Sequence, residues 1–161
     1  MSSGVATPSQ DLRTMVDTIQ RALSNYVLVS GALAIKAALS PLAKIANAIY
    51  FMIDGVVYTK AASDMAALVG TVTNAKFNVF VFTVNAAGTL GVQMGTEAAT
   101  LGAVVFPTVA DGKVVIGFLI VNPTGTGNFV GGTTNLDDAT VVPNAVYVNT
   151  PYPFLSSITA L

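Results

Sequence analysis

The chain has 161 residues, a length that fits one domain, and it contains neither cysteine nor histidine. Without them it lacks the commonest nucleophile, general base and soft metal ligands, so we expect no catalytic residues, no cofactor and no metal site. Only 9% of the residues are charged while 53% are hydrophobic, and the formal net charge is −1. This composition argues against nucleic-acid binding, which needs clustered Lys and Arg, and favours assembly with other protein surfaces.

The first predicted element is an amphipathic helix of roughly 14 to 16 residues near the N-terminus. Pro8 suits a first helical position, with Thr7 as its cap. The pattern fits a helix packed on its own domain and equally an arm that pairs with other chains. We divide the chain into a helical arm, residues 1–28, and a β-rich domain, residues 29–161. The apolar residues that recur at helical spacing are candidate partner-binding residues: Leu12, Met15, Val16, Ile19 and Leu23.

From Tyr26 onward short β-forming segments replace the helical pattern. Two short strands are predicted at 26–29 and 33–35, whereas 36–44 is ambiguous because Pro41 interrupts an Ala-rich run. The clearest local signal is Asp54-Gly55 between two β-forming runs, since both residues tolerate the positive φ of a two-residue hairpin turn. Asp54 is therefore interpreted as a turn residue and not as a catalytic acid.

The middle of the chain predicts a second hairpin and two short helical pieces. Residues 77–84 form a strand with Phe80 and Phe82 on one face, and 89–94 return after a four-residue turn. The small residues of 61–68 predict one or two helical turns. Thr96 and Glu97 are interpreted as the cap and first turn of another helix.

The last part of the chain predicts a buried strand and an extended tail. Residues 114–121 are almost continuously apolar, which predicts a strand buried on both faces. The Gly/Thr-rich segment 124–134 is a loop or hairpin, and 145–148 close the sheet. Prolines at 151 and 153 predict an extended tail from about residue 150, in which Tyr152 and Phe154 are further candidate partner-binding residues.

About eight short strands with frequent turn signals define the expected fold. We predict a mainly β protein, an antiparallel β-sandwich or barrel-like domain with a short N-terminal helix and an extended C-terminal tail. The uncharged stretch 77–96 is about long enough to span a bilayer, but it contains polar residues and glycines and has the pattern of two strands. The N-terminus has no basic segment followed by an apolar core. We therefore expect neither a signal peptide nor a membrane partner.

Polar clusters give weak candidates for chemistry. Asp137 and Asp138 are the only acidic pair; they could help to hold Ca²⁺, but the Asp-x-Asp spacing of calcium loops is missing, so a solvated turn is the favoured interpretation. The glycine string 125–128 lacks the Gly-Lys-Ser/Thr of a phosphate loop. The plentiful Ser and Thr residues have no histidine to act as their base, and the chain contains no Ser-x-x-Lys. These patterns support a non-enzymatic protein.

The stretch from Tyr50 to Thr134, roughly half the chain, resembles small virion structural proteins of tailed bacteriophages in three segments. The first is Tyr50–Ala62 (YFMIDGVVYTKAA). The second is Val84–Leu90 (VNAAGTL), followed by Gly95–Ala99 (GTEAA). The third is Pro123–Phe129 (PTGTGNF), with Gly-Thr-Thr at 132–134. These are turn and strand motifs, so they indicate a kind of protein and not a molecular site.

The resemblance implies a capsid decoration (cement) protein that lies on the outer surface of the capsid and is made in the host cytoplasm. Such proteins are commonly trimers or other small oligomers placed across junctions between major capsid subunits. The implied partners are thus other copies of the chain and the major capsid protein. A head fibre, tail fibre or spike component that contacts the host surface is the alternative, and a membrane-active protein is a third reading.

Overall fold

The computed structural model describes residues 8–143 and 145–150, and within these residues the chain is mainly β with one helix. The antiparallel strands and the short N-terminal helix predicted from the sequence are both confirmed. Thr7 and the predicted tail, with Tyr152 and Phe154, lie outside the described residues.

Helix α1 (Pro8–Ser24) comes first and leads almost directly into the strands. A short 3-10 turn, Leu101–Ala103, interrupts them. Within the described residues the strands in chain order are β1 (Tyr26–Val29), β2 (Leu33–Ile35), β3 (Ala43–Ile45), β4 (Ile49–Ile53), β5 (Val56–Lys60), β6 (Ser63–Asp64), β7 (Thr71–Val72), β8 (Asn78–Asn85), β9 (Leu90–Met94), β10 (Lys113–Val121), β11 (Phe129–Val130) and β12 (Val146–Asn149).

The strands form four antiparallel sheets. The central sheet has the order β12-β10-β8-β9, and a second sheet, called here the hairpin sheet, has the order β1-β4-β5. Two smaller sheets, β2-β3-β6 and β11-β7, complete the fold. The hairpin sheet and the smaller sheets share the main core with one face of the central sheet. The layers are therefore those of a sandwich-like domain.

The central sheet is buried on both faces, as the apolar run 114–121 predicts. On β8, Phe80 and Phe82 face the main core, while Val79 and Val81 face the opposite side. That opposite side is covered by the segment 104–109. Since β8 and β10 contribute to both clusters, they are the strands that hold the domain together.

A β-bulge in β10 keeps its apolar residues directed at the main core. Val115 pairs with Thr83 and Gly117 pairs with the next residue, Phe82, so Ile116 is an extra residue in β10. Val114 and Ile116 face the core before the bulge, and Leu119 and Val121 do so after it. A bulge changes the alternation of faces by one residue, which is how both halves of β10 reach the same core.

Replacing Gly117 with alanine is expected to destabilise the domain by about 2–4 kcal/mol, because it adds both steric overlap and backbone strain. Gly117 has a φ of +155°, and a Cβ there would lie 2.4 Å from Leu33 Cδ1 and 2.4 Å from the Val148 carbonyl oxygen. Urea unfolding measures the loss. Gly102→Ala is the control, because its Cβ would meet no atom within 4 Å. Equal stability of the two variants would contradict the bulge geometry.

Two local predictions are wrong. Residues 61–68 are not helical: they contain β6, in which Asp64 pairs with Lys44 of β3, and they bury Met65 and Leu68 in the core. Glu97 does not begin a helix, because Thr96 pairs with Val105 as an isolated β-bridge. In both cases β pairing outweighs the local preference of small residues and caps for helix.

Other local predictions agree more closely with the structure. The hairpin at Asp54-Gly55 is confirmed, with φ of +51° and +77° at these two residues and five pairs between β4 and β5. The ambiguous segment 36–44 leads into β3, and the Gly/Thr-rich segment 124–134 contains the short β11, which pairs with β7. The strands in the described residues number twelve, against the eight expected.

Candidate assembly surface

The apolar stripe of α1 is exposed along its whole length. Its residues, predicted to bind a partner, are Leu12 (56% exposed), Met15 (38%), Val16 (50%), Ile19 (48%) and Leu23 (62%). An apolar face of a helix is normally buried against another element, and here no described part of the same chain covers it. Partner binding by these residues stays a prediction, and their exposure makes the stripe the strongest candidate surface.

The C-terminal end of α1 is fixed to the turn of the β4–β5 hairpin. The Asp54 backbone N–H donates to Asn25 Oδ1 at 2.6 Å, and the Gly55 N–H donates to the Ser24 carbonyl oxygen at 3.3 Å. Asn25 is the single residue between α1 and β1, where Tyr26 pairs with Met52. The C-terminal end of the helix therefore has a defined position at the hairpin end of the domain.

The spacing within the stripe is that of a helix made to pack along a seam. Leu12, Val16, Ile19 and Leu23 follow steps of four, three and four residues, the steps between the core positions of a heptad repeat. Isolated helices of this length are marginal in water unless an apolar face is packed. The helix α1 therefore has both the pattern and the physical need for a partner surface.

The acidic pair at 137–138 stabilises turns. Asp138 Oδ1 accepts hydrogen bonds from the Thr140 hydroxyl at 2.6 Å and the Thr140 N–H at 2.9 Å, and these bonds lower the pKa of Asp138. Asp137 Oδ2 accepts from the Leu39 N–H at 2.9 Å. Across 8–143 and 145–150, no group of three or more acidic side chains is arranged to hold a metal ion.

The Glu97 carboxylate links the segment that follows β9 to the segment that follows β7. It accepts from the Thr73 N–H and from the Thr73 hydroxyl, both at 2.8 Å, and lies 3.6 Å from Lys76 Nζ. The hydrogen bond from the Thr73 N–H is the main reason that the pKa of Glu97 is lowered from its ordinary value of 4.5. A lowered pKa means that the charged carboxylate stabilises the fold above pH 4.5 and that this stabilisation is lost as the pH falls through the lower, folded-state value.

Replacing Glu97 with glutamine is expected to lower the melting temperature at pH 7 by a few degrees, because Thr73 would lose a charged acceptor on a partly exposed side chain, an interaction of about 1 kcal/mol. The difference from wild type should shrink as the pH falls from 7 through the lowered, folded-state pKa of Glu97, because the native carboxyl then becomes protonated as well. Thermal unfolding over a series of pH values measures it. A difference that does not change across the series would show that charge is not the cause.

One cleft was not foreseen from the sequence. It has a volume of about 320 Å³ and is lined mainly by apolar side chains, with Asp137 and Tyr147 among them. The Tyr147 hydroxyl is buried and has no hydrogen-bond partner among the described residues. Burial, together with the negative charge of Asp137, raises the pKa of Tyr147 to about 12. The cleft brings Ile35 of β2 together with Asp137 and with Tyr147 of β12, far along the chain, and no local pattern signals such a juxtaposition.

Comparisons with known proteins identify no relative: no family model, curated protein or solved structure matches the chain. Among the helices in the part of the chain that the structure describes, none is long and apolar enough to cross a membrane. The inference about function therefore depends on the surfaces of the molecule itself.

Proposed function

We propose that this protein is a non-enzymatic structural protein of a tailed-phage virion that decorates the outer surface of the capsid. In this role it binds across neighbouring major capsid subunits as a homo-oligomer, with a trimer as the expected form, and thereby stabilises the shell. The observation that carries the proposal is the uncovered apolar stripe on α1, a helix fixed at one end to the turn of the β4–β5 hairpin. Such an anchored apolar helix suits the assembly with other chains that this role requires.

The composition supports the same role. Few charges need to be desolvated when the surface of such a chain is buried, so the energetic cost of forming an interface is low. Many copies on a regular shell would bind with avidity even if each single contact were weak. A protein that binds the assembled shell, and not its free subunits, stabilises the shell by mass action.

The proposal is tested with particles from which the protein has been removed genetically. Adding the purified wild-type protein back should raise the temperature at which the particles release their DNA. The variant Val16→Lys should fail to do so, because a charge in the stripe opposes its burial. The control is Val105→Lys, which changes an exposed valine (60%) on the segment that covers the far side of the central sheet. No shift in the release temperature with wild-type protein would overturn the proposal.

A further inference from the structure

The hairpin sheet has a second uncovered apolar surface. Its inner face places Val27 and Phe51 in the main core, so the residues next to these on their strands point outward, and a register shift between Val27 and Val29 turns Val29 outward as well. Across the three strands the outward residues form two rows in register, Tyr26–Met52–Val57 and Val29–Tyr50–Thr59. Three of them are about half exposed: Val29 (50%), Tyr50 (47%) and Val57 (55%). We call these two rows the outer sheet face.

The helix of the same chain does not cover this face. The stripe on α1 and the outer sheet face are both exposed in the same structure, although Asn25 alone separates α1 from β1. The bonds from Asp54 and Gly55 fix the end of α1 at the hairpin turn, and in this position the helix leaves the outer sheet face exposed.

The two surfaces match in kind and in size. One is the apolar stripe of a helix and the other is the apolar face of a sheet. Helices commonly pack on sheets through such surfaces, as two layers of a domain. Together they expose on the order of 800 Å² of apolar side chain per copy, so two copies that exchange their helices would bury about 1,600 Å² in total, the size of a standard stable interface. In a closed dimer the two chains exchange helices, and in a closed trimer each chain gives its stripe to one neighbour and its sheet face to the other, so neither surface stays exposed.

We propose that α1 of one copy covers the outer sheet face of a second copy of this chain. The stripe residues Val16, Ile19 and Leu23 then pack against Tyr50, Met52 and Val57 of the neighbour. This inference adds a specific contact to the proposed function. It rests on one part of that proposal, namely that the chain assembles with copies of itself. It requires no capsid, so it can fail or succeed independently of shell binding.

Cross-linking tests the pairing directly, because the chain has no cysteine of its own. The full-length variants Ile19→Cys and Val57→Cys are prepared separately, mixed under exchange conditions and oxidised, and the linked peptides are measured by mass spectrometry. The matched control replaces Val57→Cys with Val105→Cys, a similarly exposed valine (60%) on the opposite side of the domain. We expect the 19–57 link to form at least about tenfold more often than the 19–105 link, because only the first pair is held together.

Two outcomes would overturn the inference. A dominant 19–19 link in the Ile19→Cys sample would mean that the helices pair with each other. Equal yields of the 19–57 and 19–105 links would mean that contacts are random. Sedimentation equilibrium gives a second reading: Val57→Lys should be monomeric where wild type and Val105→Lys are oligomeric. If the 19–57 link forms but the protein does not stabilise shells, the capsid role fails while the exchange of α1 stands.

Discussion

Replacing Phe80 with alanine will lower the free energy of unfolding by about 3–5 kcal/mol, the usual cost of removing a large aromatic side chain from a packed core. Phe80 is fully buried on β8, the strand between β10 and β9 in the central sheet. Its ring packs edge to face against Phe129 of β11, with ring centroids 5.8 Å apart. The substitution thus opens a cavity where the central sheet meets the β11-β7 sheet, and strand pairs on both sides prevent collapse.

Urea denaturation, analysed with a constant slope, measures this loss. Leu101→Ala is a suitable control, since Leu101 is 44% exposed in the 3-10 turn and its truncation should change the stability by no more than about 0.5 kcal/mol. If Phe80→Ala costs less than about 1 kcal/mol, the central sheet does not carry the core described above.

The second large effect concerns assembly. Val16→Lys combined with Leu23→Lys should weaken self-association by about 10- to 100-fold, because each side chain is about half exposed and each substitution therefore removes about half of the roughly 1.5–3 kcal/mol gained on full burial. Both side chains are at least half exposed in the single chain, so the melting temperature of the dilute protein should hardly change. Sedimentation velocity over a concentration series measures the oligomeric state.

A charge on the other side of the helix provides the control. Thr14 is exposed and lies two residues from both Leu12 and Val16, so a rotation of about 100° per residue places it opposite the stripe. Thr14→Lys adds a single lysine to the helix without altering the stripe, and it should assemble like wild type. If the stripe variant and Thr14→Lys assemble equally well, α1 is not the assembly surface.

The parts of the fold that the sequence predicted are those encoded locally. Asp54-Gly55 defines its own turn, because the backbone needs of a two-residue hairpin are met by these two residues alone. The stripe on α1 is predictable for the same reason, since the repeat of its apolar residues lies within one helix. The strand 114–121 is recognisable from its length and apolar content, whereas its bulge at Ile116 was not predicted, although the isolated Gly117 is a typical signal of one.

The parts that failed depend on partners far along the chain. Asp64 is in a strand because Lys44, twenty residues earlier, pairs with it. Glu97 is held by Thr73, so its loop conformation has a tertiary cause. The outer sheet face was not predicted, for a different reason. The hairpin pattern shows that Tyr50 and Phe51 point to opposite faces of the sheet, but it does not show which face the rest of the domain covers.

The central claim, a capsid decoration protein, is tested most directly by the number of copies in purified virions, measured by quantitative mass spectrometry against the major capsid protein. The proposal predicts a number comparable to that of the capsid protein, or a simple fraction of it that corresponds to one oligomer at each local symmetry axis. A handful of copies per particle would contradict it in favour of a fibre or spike component, and the absence of the protein from virions would contradict any structural role.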